Sequence, residues 1–157
     1  NKYYKIIKKI LMNNASINIR KIEKDDIFDV IEILQQLSVF KPSQTEYLNI
    51  WDKFSKQNNV HSLVATIDKK IVGYGLILIV TNIRGGKIGH IEDIVSHSNY
   101  KKKNIGRIIV NSLFDIAKEE GCYKVVLQCK EHNVVFYEKC NYEQSGVAMQ
   151  RFVNLES

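Results

Sequence analysis

The chain has 157 residues, 45% hydrophobic and 25% charged, with 23 Lys+Arg against 17 Asp+Glu for a net charge of +6. That balance fits one globular domain with a core of its own, and no stretch approaches the ~20 consecutive apolar residues of a membrane span. The moderate basic excess favours anionic partners without naming one.

Residues 1–15 read as a basic N-terminal arm, in which Lys2, Lys5, Lys8 and Lys9 interrupt the apolar residues. Such a stretch lacks a signal-peptide core and suits a short amphipathic helix or a loose arm. Residues 16–22 alternate (Ile17, Ile19) and predict a first strand. Lys24-Asp25-Asp26 opens a helix, where an aspartate caps free N–H groups; Ile27, Val30, Ile31, Leu34 and Leu37 follow at helical spacing. Residues 43–58 predict a second helix with Tyr47, Ile50, Trp51 and Phe54 inward. Residues 61–67 and 71–80 form a hairpin about Asp68-Lys69-Lys70, and residues 87–96, containing HIEDIV, form the next strand. A helix over 105–120 presents Ile108, Ile109, Leu113, Phe114 and Ala117 on one face, and Gly121 suits its left-handed C-terminus. A strand at 123–129, a short helix at 133–139 and a last strand at 142–152 complete the order β-α-α-β-β-β-α-β-α-β. Hairpins followed by helix-joined strands imply a mixed sheet covered by helices.

Cys122, Cys129 and Cys140 are odd in number and form no C-x-x-C pair, so neither a zinc ribbon nor a disulfide framework is implied. A reducing, cytoplasmic setting with the thiols as small apolar residues is the simpler expectation. No metal is expected: His90-x-Glu92 has no further His or Cys at ligand spacing.

YKKKNIGR, residues 100–107, places lysines, Gly106 and Arg107 at the mouth of a helix. A helix N-terminus with unpaired N–H groups and flanking cations is an anion site. It is neither a Walker loop nor a G-x-G-x-x-G fingerprint. Glu92 and Asp93 are adjacent, so on a flat strand they point to opposite faces; both serve one site only if a bulge kinks the strand.

The strand–turn–helix at YKKKNIGR resembles the acetyl-CoA pyrophosphate loop of the GNAT superfamily, with Lys101 at its Gln/Arg position, Asn104 at its first glycine and Gly106 at its second. Together with HIEDI (90–94), GCYKVVL (121–127) and NVVFYEKCNY (133–142), the chain resembles the eukaryotic glucosamine-6-phosphate N-acetyltransferases. The resemblance implies an α/β (α+β) GNAT fold: a mixed, mostly antiparallel central sheet flanked by helices, one domain over 16–157. It implies acetyl transfer from acetyl-CoA to the 2-amine of glucosamine 6-phosphate by direct attack.

The same resemblance implies roles. Ile94 and Val95, then Lys101, Lys102, Lys103, Asn104, Ile105, Gly106 and Arg107, and Asn133, Phe136, Tyr137 and Lys139 would hold acetyl-CoA. The Ile94 N–H would polarise the thioester carbonyl, and the Tyr137 phenol would protonate the departing thiolate. Glu92 and Asp93 would touch the sugar. Ser38, the loop Thr81, Asn82, Ile83 and Arg84, and Tyr123, Lys124 and Arg151 would complete the substrate site, Lys124 and Arg151 at the phosphate. Gln128 departs from the acid common in the family. An amide cannot accept a proton at neutral pH. Gln128 therefore only orients the amine, or Glu92 or Asp93 takes the proton through water, or the amine arrives neutral. The family's intertwined dimers, with sites that include the partner's C-terminal strand, imply a homodimer. Val147, Met149, Phe152 and Val153 allow that. The rivals are a GNAT enzyme for another amine, such as a peptide or protein, and a basic module binding nucleic acid.

Overall fold

The computed structural model describes residues 16–153. The expected basic arm over 1–15 lies outside the described residues. Strand β1 (Asn18–Lys21) leads to a 3-10 turn at Lys24–Asp26 and then to helix α1 (Ile27–Leu34). Arg20 of β1 donates two hydrogen bonds, of 2.7 and 2.8 Å, to the Asp26 carboxylate, which also accepts the Glu23 N–H at 2.8 Å. The aspartate thus caps the helix entry and ties it to the first strand. Leu37, expected on the apolar face of this helix, lies past its end and is 46% exposed. A capping box between Ser43 and Glu46 starts the next turn, from which α2 (Tyr47–Ser55) runs with Tyr47 fully buried.

The five-stranded sheet has the order β1-β2-β3-β4-β5. Strands β2 (Val60–Ile67), β3 (Lys70–Thr81) and β4 (Lys87–Ser96) are antiparallel neighbours. Asp68 and Lys69, at φ 49° and 65°, form the two-residue turn joining the first hairpin. Helix α3 (Ile105–Glu119) then carries the chain across the sheet, so β5 (Cys122–Leu127) runs parallel to β4.

The helices cover both faces. Ile105, Ile109, Leu113 and Ala117 of α3 pack with Ile77, Ile79 and Ile91, while Val30 and Ile33 of α1 pack with Val64, Tyr74, Leu76 and Val95. The expected face of α3 is corrected: Ile105 and Val110 are buried, whereas Phe114 is 43% exposed and Ile108 only half-buried. The 105-109-113-117 stripe, widened by Val110 on one side, faces the sheet, and Ile108 and Phe114 lie farther round the helix from its middle. Two glycines of β3 let α3 and β4 approach. A Cβ on Gly73 would lie 2.5 Å from Ile105 Cγ2, and one on Gly75 would lie 2.5 Å from Ile94 Cδ1.

After α4 (Val134–Glu138), the expected strand at 142–152 is absent: the chain there has no regular structure among the described residues. Val147, Met149, Phe152 and Val153 are 90%, 93%, 65% and 86% exposed. A strand exists only through its ladder partner, and among the described residues this segment pairs with no strand. Among the described residues no helix is long and apolar enough to cross a membrane.

Candidate active site

The site begins with a defect in β4. The register pairs Tyr74 with Val95 and Leu76 with Glu92, so two steps along β3 are matched by three along β4. The extra residue makes a bulge, and Asp93 takes φ 56°, in the left-handed region that aspartate tolerates better than most residues. Glu92 and Asp93, which a flat strand would separate, therefore line one cavity. Gly75 on the neighbouring strand leaves room for the Ile94 side chain at the bulge.

The second cause is a parting of strands. Pairing of β4 with β5 ends at Ile91 and Leu127, yet β4 continues to Ser96. The gap holds a cavity of about 320 Å³. One wall is Ile91, Glu92, Asp93 and Ile94; the other is Leu127, Gln128, Cys129 and Lys130, continued by His132, Asn133 and Tyr137, with Gln36 and Leu37 reaching in from beyond α1. Tyr137 is held by edge-to-face contacts with Phe136 and Tyr142, at centroid distances of 4.9 and 6.1 Å. Burial, reinforced by the neighbouring Cys129 and Cys140 thiols, pushes its phenol up to about 12, so it keeps its proton through the neutral range. Burial also raises the Asp93 carboxyl above its usual range.

The cationic turn lies next to this helix. His97 Nδ1 accepts the Asn99 N–H at 3.2 Å and opens the 3-10 turn Ser98–Lys103. Asn104 follows at φ 56°, ψ 27°, and α3 starts at Ile105. Asparagine thus adopts the left-handed geometry for which the family pattern has glycine. A Cβ on Gly106 would lie 3.3 Å from the Phe136 ring, so this glycine brings the start of α3 against the helix that carries Tyr137.

Residues 27–142 match the acetyltransferase (GNAT) family. The chain belongs to the GNAT acetyltransferases. This acetyltransferase is 39% identical over 144 residues to glucosamine 6-phosphate N-acetyltransferase 1 of Dictyostelium discoideum, covering 87% of this chain and 91% of that one. It is 39% identical to the Candida albicans glucosamine 6-phosphate N-acetyltransferase over 71% of this chain and 75% of that one. Its fold matches the crystal structure of glucosamine-6-phosphate N-acetyltransferase from Arabidopsis thaliana with a TM-score of 0.81 and 33% identity, over 88% of this chain and 99% of that one. The family and fold expected from HIEDI, GCYKVVL and NVVFYEKCNY are those found.

The acetyltransferase gathers Glu92, Asp93, Ile94, Gln128, Asn133 and Tyr137 in the cavity, and leaves other expected residues outside its lining. Val95 turns its side chain into the core at 4% exposure. Ser38 is exposed in the loop after α1, where its Oγ accepts the Phe40 N–H at 3.2 Å. Thr81, Asn82, Ile83 and Arg84 form the β3–β4 turn, at the opposite end of β4 from the bulge, closed by a 2.7 Å bond from the Asn82 N–H to the Gly86 carbonyl. Tyr123 and Lys124 lie early on β5, with Lys124 Nζ 5.8 Å from the Tyr123 ring centroid. Lys101, Arg107, Lys139 and Arg151 are exposed. Gln36, Leu37, Cys129, Lys130 and His132 line the cavity without having been singled out. Cys129, Lys130 and His132 sit between Gln128 and Asn133, both already candidates. Past Leu127 the strand ends, so two-residue alternation no longer tells which side chains turn inward.

Proposed function

We propose that the chain transfers the acetyl group of acetyl-CoA to the 2-amine of glucosamine 6-phosphate. The products are N-acetylglucosamine 6-phosphate, for UDP-N-acetylglucosamine synthesis, and CoA. The observation that carries this reading is the cavity between β4 and β5, which joins Glu92, Asp93, Ile94, Gln128, Asn133 and Tyr137 in a chain whose relatives bear that enzyme's name.

In this reading the turn around Asn104, with Lys101, Lys103 and Arg107, takes the pyrophosphate of acetyl-CoA at the start of α3, while the expected contact of Lys102 falls on a side chain outside those described. Asn133, Phe136 and Lys139 border the cofactor arm. The Ile94 N–H stabilises charge on the thioester oxygen as the amine attacks. Glu92 and Asp93 hold the amino sugar and Gln128 orients it. When the C–S bond breaks, the protonated Tyr137 phenol supplies the proton that the sulfur needs. No side chain serves as nucleophile, because the substrate brings its own.

The residues assigned to the phosphate, Lys124 and Arg151, and the other expected substrate residues Ser38, Arg84 and Tyr123 lie outside the lining of this cavity, and a second copy supplies part of the site. Two features support such a homodimer. Strand β5 is an edge of the sheet, and among the described residues the C-terminal tail exposes Val147, Met149 and Phe152 without a strand partner. The free thiols of Cys122, Cys129 and Cys140 agree with a reducing, cytoplasmic setting.

A thiol-release assay with acetyl-CoA tests the reaction. The expected result is turnover with glucosamine 6-phosphate at least ~10-fold faster than with unphosphorylated glucosamine or a peptide amine. Tyr137→Phe should lower kcat about 100-fold with little change in KM. No turnover with the sugar phosphate, or a preference for the peptide, removes this reading. An unaffected Tyr137→Phe removes only the acid role.

A further inference from the structure

We propose that His132 is the proton acceptor for the substrate amine, in place of the acid that Gln128 does not provide. This rests on the reading of the cavity as an acetyl-transfer site. An amine that arrives as ammonium has no lone pair, so something must take its proton before attack. Gln128 lines the cavity but is an amide, which accepts hydrogen bonds and no proton. The cavity wall offers Glu92, Asp93 and His132 as bases.

The carboxylates and the imidazole suit different tasks. Glu92 and Asp93 come from the β4 bulge and present adjacent anionic groups on one wall. Negative charge beside an ammonium binds it, and the proposed function already gives these two carboxylates the task of holding the amino sugar. The imidazole is the side chain whose ordinary titration lies closest to neutrality, which suits a base acting on a weakly basic amine. His132 lies in the 3-10 turn Glu131–Asn133, across the cavity from the carboxylates and on the wall that carries Tyr137. The charged and titratable groups that line the same cavity are Glu92, Asp93, Cys129, Lys130 and Tyr137, and Glu131 precedes His132 in the chain.

The proton count closes. One N–H proton of the ammonium passes to the imidazole, directly or through one water, and leaves to solvent. The freed lone pair forms the C–N bond. The C–S bond then breaks as the Tyr137 phenol gives its proton to sulfur; the nitrogen's second proton passes to the emptied imidazole and through water to the phenoxide, which restores Tyr137.

The test is the pH dependence of kcat/KM for the amine in wild type, His132→Asn and His132→Ala, with acetyl-CoA saturating. The expected loss in His132→Asn is about 10- to 100-fold near pH 7. Its acidic limb should move to higher pH, because the variant must wait for amine that is already neutral. Added imidazole should restore His132→Ala in proportion to its neutral form, with KM for acetyl-CoA unchanged. An acidic limb that stays in place, absence of imidazole rescue, or a loss confined to KM for acetyl-CoA would overturn the proposal. The series runs with whichever amine supports thiol release. Wild-type inactivity towards glucosamine 6-phosphate would therefore sink the substrate reading and leave the His132 result to be read separately.

Discussion

Asn104 and Asp93 occupy the left-handed region at φ 56°, one at the mouth of α3 and the other in the β4 bulge. Neither is glycine, and both belong to the residue types that visit this region most readily. The strain is small and local, and it sets two directions: where the α3 N–H groups point, and which way the Asp93 carboxylate faces. At Asn104 this is testable without touching the cavity. Asn104→Gly should keep or slightly raise stability and keep KM for acetyl-CoA. Asn104→Val should cost about 1–2 kcal/mol in urea unfolding and raise KM for acetyl-CoA several-fold, with KM for the amine nearly unchanged. Equal effects on both KM values would separate the turn from the cofactor. Residue identity made the turn and the Glu-Asp pair visible from sequence. The same identities could not reveal His132 or Cys129 as cavity groups, because their orientation depends on how the chain leaves β5.

At the scale of elements, one contact holds the first strand to the first helix. Asp26 is nearly buried and accepts both Arg20 hydrogen bonds and the Glu23 N–H. The Arg20 hydrogen bond is the main cause that holds its carboxyl below the usual carboxylate range. With the folded-state pKa depressed, its stabilisation is complete above the unfolded value and is lost as pH falls through the folded one. Asp26→Asn should therefore lower stability by about 1–2 kcal/mol at pH 7, discounted because Arg20 is partly exposed. The difference from wild type should shrink as pH drops below the normal aspartate range. A gap that stays constant with pH in urea titrations would assign the effect to packing instead. Most elements were legible because apolar spacing reports periodicity, and the capping residues mark the starts. The inward face of α3 was displaced because Phe114 and Ile108 are apolar yet lie at the rim, which composition alone does not distinguish from the centre.

On the scale of the whole molecule, the tail is the part that does not close on itself. Its apolar residues stay exposed, and among the described residues β5 is an edge strand. The proposed homodimer, in which each tail would add to the partner's sheet, would answer both. Removing residues 147–157 should convert the protein to a monomer by light scattering and lower kcat/KM for glucosamine 6-phosphate by at least ~10-fold, since Arg151 leaves with the tail. A truncated chain that remains dimeric and fully active would place the interface and the phosphate contact elsewhere.

By itself the sequence determined the order of elements as far as the helix ending at Glu138, the family and the residue types at the turn, the bulge and Tyr137. Each of these is a local property, written in periodicity, capping and short motifs. Only the tertiary structure decided that β4 and β5 part after Ile91 and Leu127, that Glu92 and Asp93 share one cavity with Gln128, His132 and Tyr137, and that residues 142–152 form no strand within their own chain. A bulge depends on the register between two strands, a cleft on where pairing stops, and a terminal strand on having a partner. Those relations join residues distant in sequence, and no stretch of sequence contains them.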